Sequence, residues 1–198
     1  MTTPDKAASR VTSAPATPSP RDVLRQQLLA RRAALEPEVK ECWDESIRQH
    51  LLQRCTALQP GSLLGVYWPM RGEPDLGPAY AALALRGVQL ALPVVVARAA
   101  PLRFAHWIPG APLALGAFDV PVPRELTWAE PPTLLVPCLG FNSARMRLGY
   151  GGGFYDRTLA RAPCPATIGI AYGCLQVEFE AAPHDIALDC ILTEDACG

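Results

Sequence analysis

The sequence predicts an α/β fold: a single domain with a mostly parallel open sheet and helices on both faces. Three observations predict it. Short, continuously apolar runs at 63–68, 88–96, 134–136 and 167–170 read as strands buried on both sides. Helical stretches at about 76–86 and 154–162 separate several of them, and strands alternating with helices are the pattern of a parallel sheet. The 21 prolines cluster at segment ends, among them Pro60, Pro69, Pro93, Pro131, Pro132 and Pro137, where they punctuate loops. With 198 residues, 49% of them apolar and 19% charged, the chain is long enough to bury one core.

Taken in order, residues 1–19 are rich in Thr, Ser, Ala and Pro and carry almost no large apolar side chain, so they are expected to be a disordered tail preceding a domain over 20–198. Asp5 and the prolines speak against reading that tail as a transit helix. Ser19 as N-cap and Pro20 at the first helical position open a helix to about Leu35, with Leu24, Leu28 and Leu35 on its apolar stripe. At 100° per residue, Arg21, Arg25 and Arg32 share one face beside that stripe. Glu36 and Pro37 start a second helix, in which Trp43, Ile47 and Leu51 repeat at i, i+4, i+8 and mark a buried face. Leu102–Trp107 alternates more than the other runs and is expected as an edge strand or hairpin. No internal repeat is visible.

The charge balance excludes whole classes of function. Eighteen basic against 19 acidic residues give a net charge of −1, too little positive field to hold a nucleic-acid backbone or an anionic membrane. Lys6 and Lys40 are the only lysines, so any phosphate site in the body of the chain is built from Arg and backbone amides, and no P-loop Gly-Lys-Ser/Thr is present. Seven cysteines, with no C-x-x-C pair and no signal peptide before them, point to reduced thiols in the cytoplasm rather than to disulfides or structural zinc. Nowhere do about 18 apolar residues run uninterrupted, so a soluble protein is expected.

The segment that carries chemistry is Arg145-Met146-Arg147-Leu148-Gly149-Tyr150-Gly151-Gly152-Gly153-Phe154-Tyr155-Asp156-Arg157. Four glycines in five positions allow positive φ and let a ligand approach the backbone amides, a helix N-terminus follows, and Arg147 adds a full charge that can grip phosphate oxygens with two N–H groups. From composition alone, a glycine-rich linker between strand and helix accounts for the same residues.

The full word Arg-Leu-Gly-Tyr-Gly-Gly-Gly-Phe-Tyr-Asp-Arg resembles the signature of the 5-formyltetrahydrofolate cyclo-ligase (5,10-methenyltetrahydrofolate synthetase) family. The resemblance continues in Arg21-x-x-x-Arg25, in Tyr67 to Asp75, in Leu92 to Val95, in Leu102 to Phe104, in Leu135 to Phe141 and in Asp189 to Glu194, and so covers about 21–195. It implies an ATP- and Mg²⁺-dependent conversion of 5-formyltetrahydrofolate to 5,10-methenyltetrahydrofolate, by a chain expected to act as a monomer. It further implies that Arg21, Arg25 and Arg147 bind ATP phosphates together with the loop Leu148, Gly149, Tyr150, Gly151, Gly152, Gly153, Phe154 and Tyr155. Arg147 and Tyr155 would be catalytic, and Asp156 and Asp189 would hold Mg²⁺. Trp68 and Glu73 would contact the folate, and Tyr150 to Phe154 its reacting end.

The match departs from the family pattern where Arg21 stands in place of Lys, and where Asn142 and Arg145 stand in place of Asp and Gly, so another path is expected for 141–146. His50, His106 and His184 match nothing catalytic and are read as structural. On the sequence alone, Arg21 and Arg25 also fit a solvated helix face, Glu73 a helix cap and Asp189 the start of a strand. A non-catalytic folate or nucleotide binder, and a sugar-phosphate isomerase or acyl-CoA transferase on a related scaffold, stay open as alternatives.

Overall fold

Ser19 caps the first helix, α1 (Pro20–Ala33): its Oγ accepts from the Asp22 backbone N–H at 3.2 Å, and the Asp22 carboxylate accepts in return from the Ser19 backbone and hydroxyl. The structure, a computed structural model, describes residues 18–195, so residues 1–17 of the expected tail lie outside the described residues. Pro37 starts α2 (Pro37–Arg54), whose Ile47 and Leu51 are fully buried while Trp43 packs on the Tyr172 ring. α1 turns its leucine stripe and its arginine face into the protein together, so that Arg32 is as buried as Leu28.

The chain then runs through β1 (Leu63–Gly65), α3 (Gly77–Leu85), β2 (Gln89–Val94), β3 (Arg103–Trp107), β4 (Leu113–Leu115), β5 (Pro121–Pro123), β6 (Trp128–Ala129) and β7 (Thr133–Pro137). It continues through β8 (Gly140–Phe141), β9 (Arg147–Leu148), α4 (Phe154–Leu159), β10 (Ala166–Ile170) and β11 (Cys190–Leu192). Seven strands form one sheet in the order β11-β10-β7-β1-β2-β3-β6, of which β11, β10, β7, β1 and β2 are mutually parallel. Leu102–Trp107 is the hairpin partner of β2, antiparallel to it, and not the outermost strand, because β6 pairs along its other side. Two small antiparallel pairs, β4-β5 and β8-β9, lie outside this sheet.

Both faces are covered. Leu28, Ile47, Leu51 and Leu83 of α1, α2 and α3 pack with Leu64, Leu90, Leu135 and Ile168, whereas Leu159 of α4 packs on the other face with Leu134, Val136 and Ile191. Gly65 lies between these layers, and a Cβ there would sit 2.4 Å from Leu134 Cδ2 and 2.9 Å from Pro131 Cγ. α4 ends at Leu159, short of the expected 162; Pro163 disfavours helical backbone at the residue before it and leaves little room for another turn.

The topology places a crevice. From β1 the chain crosses to β2 on one side, and from β7 it crosses to β10 and β11 on the other, so the winding reverses between the neighbours β1 and β7. In open α/β sheets a ligand crevice opens at such a reversal, outside the carboxyl ends of the strands.

Candidate active site

Tyr67 and Trp68 follow β1, Pro93 and Val95 lie at the end of β2, and Pro137 ends β7; these residues floor a cavity of about 530 Å³ at the reversal point. The glycine loop, α1 and the segment around Asp185 supply its walls. Of the residues singled out in the sequence, Arg21, Arg25, Trp68, Glu73, Arg147, Gly149 to Tyr155 and Asp156 all line it. Leu148 does not: it is fully buried in β9 and anchors the loop from behind.

Three arginines of α1 reach the segments around the cavity. Arg21 forms an ion pair with Asp185 at 2.8 Å, Arg25 Nε donates to the Gly149 carbonyl at 2.9 Å, and Arg32 donates to the Tyr150 hydroxyl at 2.6 Å and to the Arg71 carbonyl at 3.0 Å. The alternative of a solvated helix face for Arg21 and Arg25 does not hold, since both are half-buried and engaged with the cavity walls.

Arg147 rises from β9 into the cavity, pairs with Asp156 Oδ1 at 2.9 Å and lies 5.2 Å from the Tyr155 ring centre. A Cβ at Gly149 would come within 2.4 Å of the Arg147 guanidinium and displace it from this placement. Gly153, at the N-cap of α4, has φ +64°, a left-handed conformation that favours glycine. Because α4 spans only six residues, its dipole is small and the positive field of the site rests on the guanidinium groups.

Several buried donors lining the cavity have no partner among the described residues: Arg21 Nε, Arg147 Nε and the hydroxyls of Tyr67 and Tyr155. Burial pushes both phenols above the ordinary tyrosine range, so they serve as hydrogen-bond donors at neutral pH and not as bases. Unsatisfied buried donors are costly in an interior, and a set of them around one cavity is the expected signature of a ligand's acceptor atoms.

Glu73 is buried and does not cap α3. Its Oε2 accepts from the Met70 backbone N–H at 2.9 Å and its Oε1 from the Tyr150 hydroxyl at 2.5 Å. Burial raises its carboxyl above the usual glutamate value, against the hydrogen bonds and the charges of Arg32 and Arg71. Asp75 is instead the residue at the helix start, with Oδ1 accepting from the Gly77 N–H. Behind the 68–73 segment lies a second cavity of about 500 Å³ that shares Trp68, Met70, Arg71 and Glu73 with the first.

Asp189 is not brought to the site. It is exposed at the start of β11, where its Oδ2 accepts from the backbone and hydroxyl of Thr167. Thr167 registers with Leu134, three residues or about 10 Å before Pro137, so Asp189 sits towards the opposite end of the strands from the cavity floor. The pairing of Asp189 with Asp156 at a metal is thus corrected: the strand-start reading accounts for Asp189, and of these two only Asp156 lines the cavity. Among the described residues no three His, Cys, Asp or Glu side chains cluster for a metal.

The departures at 141–146 have a local resolution. Asn142 Oδ1 accepts from the Ala144 and Met146 N–H groups and closes a tight hairpin between β8 and β9, while Arg145 adopts φ +59°, where glycine is favoured, and donates from Nε to the Leu188 carbonyl. Some lining residues escaped the sequence reading, Arg98, Phe118 and Asp185 among them. Arg98 and Phe118 lie in loops without periodicity, and Asp185 had no motif; Phe118 packs edge-on against Phe154 at 5.7 Å. His184, read as structural, is exposed on the cavity rim beside Asp185. No signal short of the fold marks these positions.

The family model of the 5-formyltetrahydrofolate cyclo-ligase family matches residues 18–194. The chain belongs to this family. A 5-formyltetrahydrofolate cyclo-ligase of Mycolicibacterium smegmatis is 32% identical over 189 residues, covering 89% of this chain and 95% of the relative. One from Mycoplasma pneumoniae is 27% identical, covering 88% and 99%. Among solved structures, a 5,10-methenyltetrahydrofolate synthetase from Mycoplasma pneumoniae superposes with a TM-score of 0.74 at 27% identity, over 89% of this chain and 99% of that one. The NMR structure of the Aquifex aeolicus 5,10-methenyltetrahydrofolate synthetase gives 0.70 at 26%, over 89% and 91%. The cyclo-ligase fold is therefore that of the whole described domain, and no helix among the described residues is long and apolar enough to cross a membrane.

Proposed function

We propose that this cyclo-ligase converts 5-formyltetrahydrofolate to 5,10-methenyltetrahydrofolate with consumption of ATP and release of ADP and phosphate. The observation that carries the reading is the convergence of Arg21, Arg25 and Arg147 with unpartnered donors on one cavity at the sheet's reversal point. A formamide oxygen is a poor leaving group. Its attack on the γ-phosphorus breaks the bond to ADP and gives an iminium phosphate, whose carbon is then attacked by N10. That attack closes the ring, and loss of the N10 proton and of phosphate leaves the methenyl bridge.

Phosphoryl transfer of this kind demands positioning and charge neutralisation more than a protein nucleophile. Arg147, Arg25 and Arg21 supply the charge, the amides of Gly149 to Tyr155 lie along the same wall, and the Tyr155 hydroxyl donates a hydrogen bond towards transferring oxygen. On the other wall Trp68 offers an aromatic face beside Trp107, and Glu73 is an acceptor for the N–H groups of a reduced pterin. Tyr150 and Phe154 border the space between the two walls.

A Mg²⁺ ion fits the donor set, because such an ion keeps several waters and takes one or two carboxylates plus phosphate oxygens, and Asp156 presents a hard carboxylate next to the proposed phosphate ligands. Asp156 would hold it, and the ion would neutralise developing phosphate charge. We place the reaction in the cytoplasm, with a monomer as the working unit. Cys42, Cys55, Cys138, Cys164 and Cys174 are free thiols, in keeping with a reducing compartment.

The test mixes protein, Mg²⁺, ATP and 5-formyltetrahydrofolate and follows the methenyl absorbance band. Appearance of the band only with both ATP and metal is expected. Its absence, or full-rate appearance without ATP, sinks the reading.

A further inference from the structure

Arg32 is 2% exposed, yet one of its guanidinium nitrogens, Nη1, has no partner among the described residues. A buried cation with an unmet donor costs stability, so packing alone does not account for its presence on α1. Its other contacts run towards the substrate side of the cavity. Nε donates to the carbonyl of Arg71, a residue held at φ +53°, and Nη2 donates to the Tyr150 hydroxyl, which in turn donates to Glu73 Oε1. The Arg71 guanidinium lies 5.2 Å from the Tyr150 ring centre and that of Arg32 5.7 Å, so two cations lie near this one ring. The 68–73 segment borders both cavities, and these hydrogen bonds tie its Arg71 and Glu73 end to α1 and the glycine loop.

We infer that Arg32 is a positioning residue for Glu73: acting through the Tyr150 phenol and the Arg71 carbonyl, it aims the Glu73 carboxylate at the N–H groups of the bound substrate's pterin ring. This rests on the proposed reaction. The groups facing Glu73 come from every neighbouring element: Arg32 from α1, Tyr150 from the glycine loop, Arg71 from its own segment, the phenols of Tyr67, Tyr80 and Tyr155, and the Cys138 thiol. Arg32 and Arg71 are the cations that oppose the effect of burial on this carboxyl. Removing Arg32 therefore both frees the segment and lets Glu73 take up a proton at higher pH.

The experiment compares wild type with Arg32→Gln, Arg32→Lys, Tyr150→Phe and the double variant Arg32→Gln/Tyr150→Phe. Carboxyl ¹³C NMR of the unliganded protein, with the Glu73 signal assigned by Glu73→Gln, reads the carboxyl without any turnover. It should show Glu73 titrating at higher pH in Arg32→Gln, with partial return in Arg32→Lys. In turnover, KM for 5-formyltetrahydrofolate should rise about tenfold in Arg32→Gln with kcat less affected, and the acid limb of kcat/KM should move to higher pH. The double variant should be no worse than the poorer single variant, because the two side chains act in series. An unmoved Glu73 titration in Arg32→Gln, or effects that multiply in the double variant, overturns the inference. Absence of turnover in wild type instead overturns the proposed reaction, while the titration still decides whether Arg32 sets the state of Glu73.

Discussion

The Tyr150 hydroxyl lies 2.5 Å from Glu73 Oε1, donating to it across 77 residues of chain and joining the glycine loop to the segment after β1. Neither residue's role follows from its neighbours in sequence; the pair exists because β1 and β9 deliver their loops to the same crevice.

Glu73→Gln keeps the shape and removes the charge. KM for 5-formyltetrahydrofolate should rise about tenfold, the loss of one charge-assisted hydrogen bond. Stability should respond differently. Burial raises the folded carboxyl above its unfolded value, so folding takes up a proton in the window between the two and the native state gains stability as pH falls through it. The variant should lose that slope and be no less stable than wild type at pH 7, as thermal unfolding against pH will read. A steeper acid-side slope in the variant contradicts the assignment.

Arg147 is expected to act as charge develops on the transferring phosphoryl group. Arg147→Ala should cost at least about tenfold in kcat/KM for ATP, corresponding to about 1.5–3 kcal/mol. Arg147→Lys should recover only part, since an ammonium cannot reproduce the planar fork. Steady-state kinetics with parallel melting curves decide this, and wild-type kcat/KM in both variants removes the glycine loop from the phosphate site.

The two aspartates expected to share a metal should behave oppositely. Asp156→Asn should lose most activity with little change in Tm. Asp189→Asn should leave the metal dependence of the rate intact and lower stability by about 1 kcal/mol through its bonds to Thr167. EDTA titrations of both variants and chemical denaturation separate these outcomes. A metal requirement weakened in Asp189→Asn restores its expected role.

Deleting residues 1–18 should leave Tm and KM for ATP unchanged, because that segment carries almost no large apolar side chain. Extending the deletion through Arg25 should weaken ATP binding, since it removes the contacts to Asp185 and Gly149. Equal behaviour of the two truncations excludes Arg21 and Arg25 as phosphate ligands.

Gly65→Ala should destabilise by about 1–3 kcal/mol, because the added methyl overlaps Leu134 and Pro131 in a closed interlayer space. Denaturant midpoints measure the effect, and an unchanged midpoint refutes the packing assigned to that position.

The sequence by itself determined the long apolar strands, the helix starts and the glycine loop, but not the short strands β4, β5, β6, β8 and β9, because only the former rest on local chemistry. Apolar runs buried on both faces, Ser19 and Pro20 at a helix N-terminus, and glycines before Phe154 each state their structure within a few residues. Only the tertiary structure decided which polar groups meet. It turned Arg32 inward to Tyr150, gave Glu73 a phenol instead of a helix end, and brought Arg98, Phe118 and Asp185 to the cavity from loops with no pattern. It also separated Asp189 from Asp156, two acidic residues that the sequence left equivalent. The physical reason is that hydrophobic periodicity is written along the chain, whereas the position of a charge relative to a crevice depends on strand order and direction, fixed only when β1 and β7 come to lie side by side.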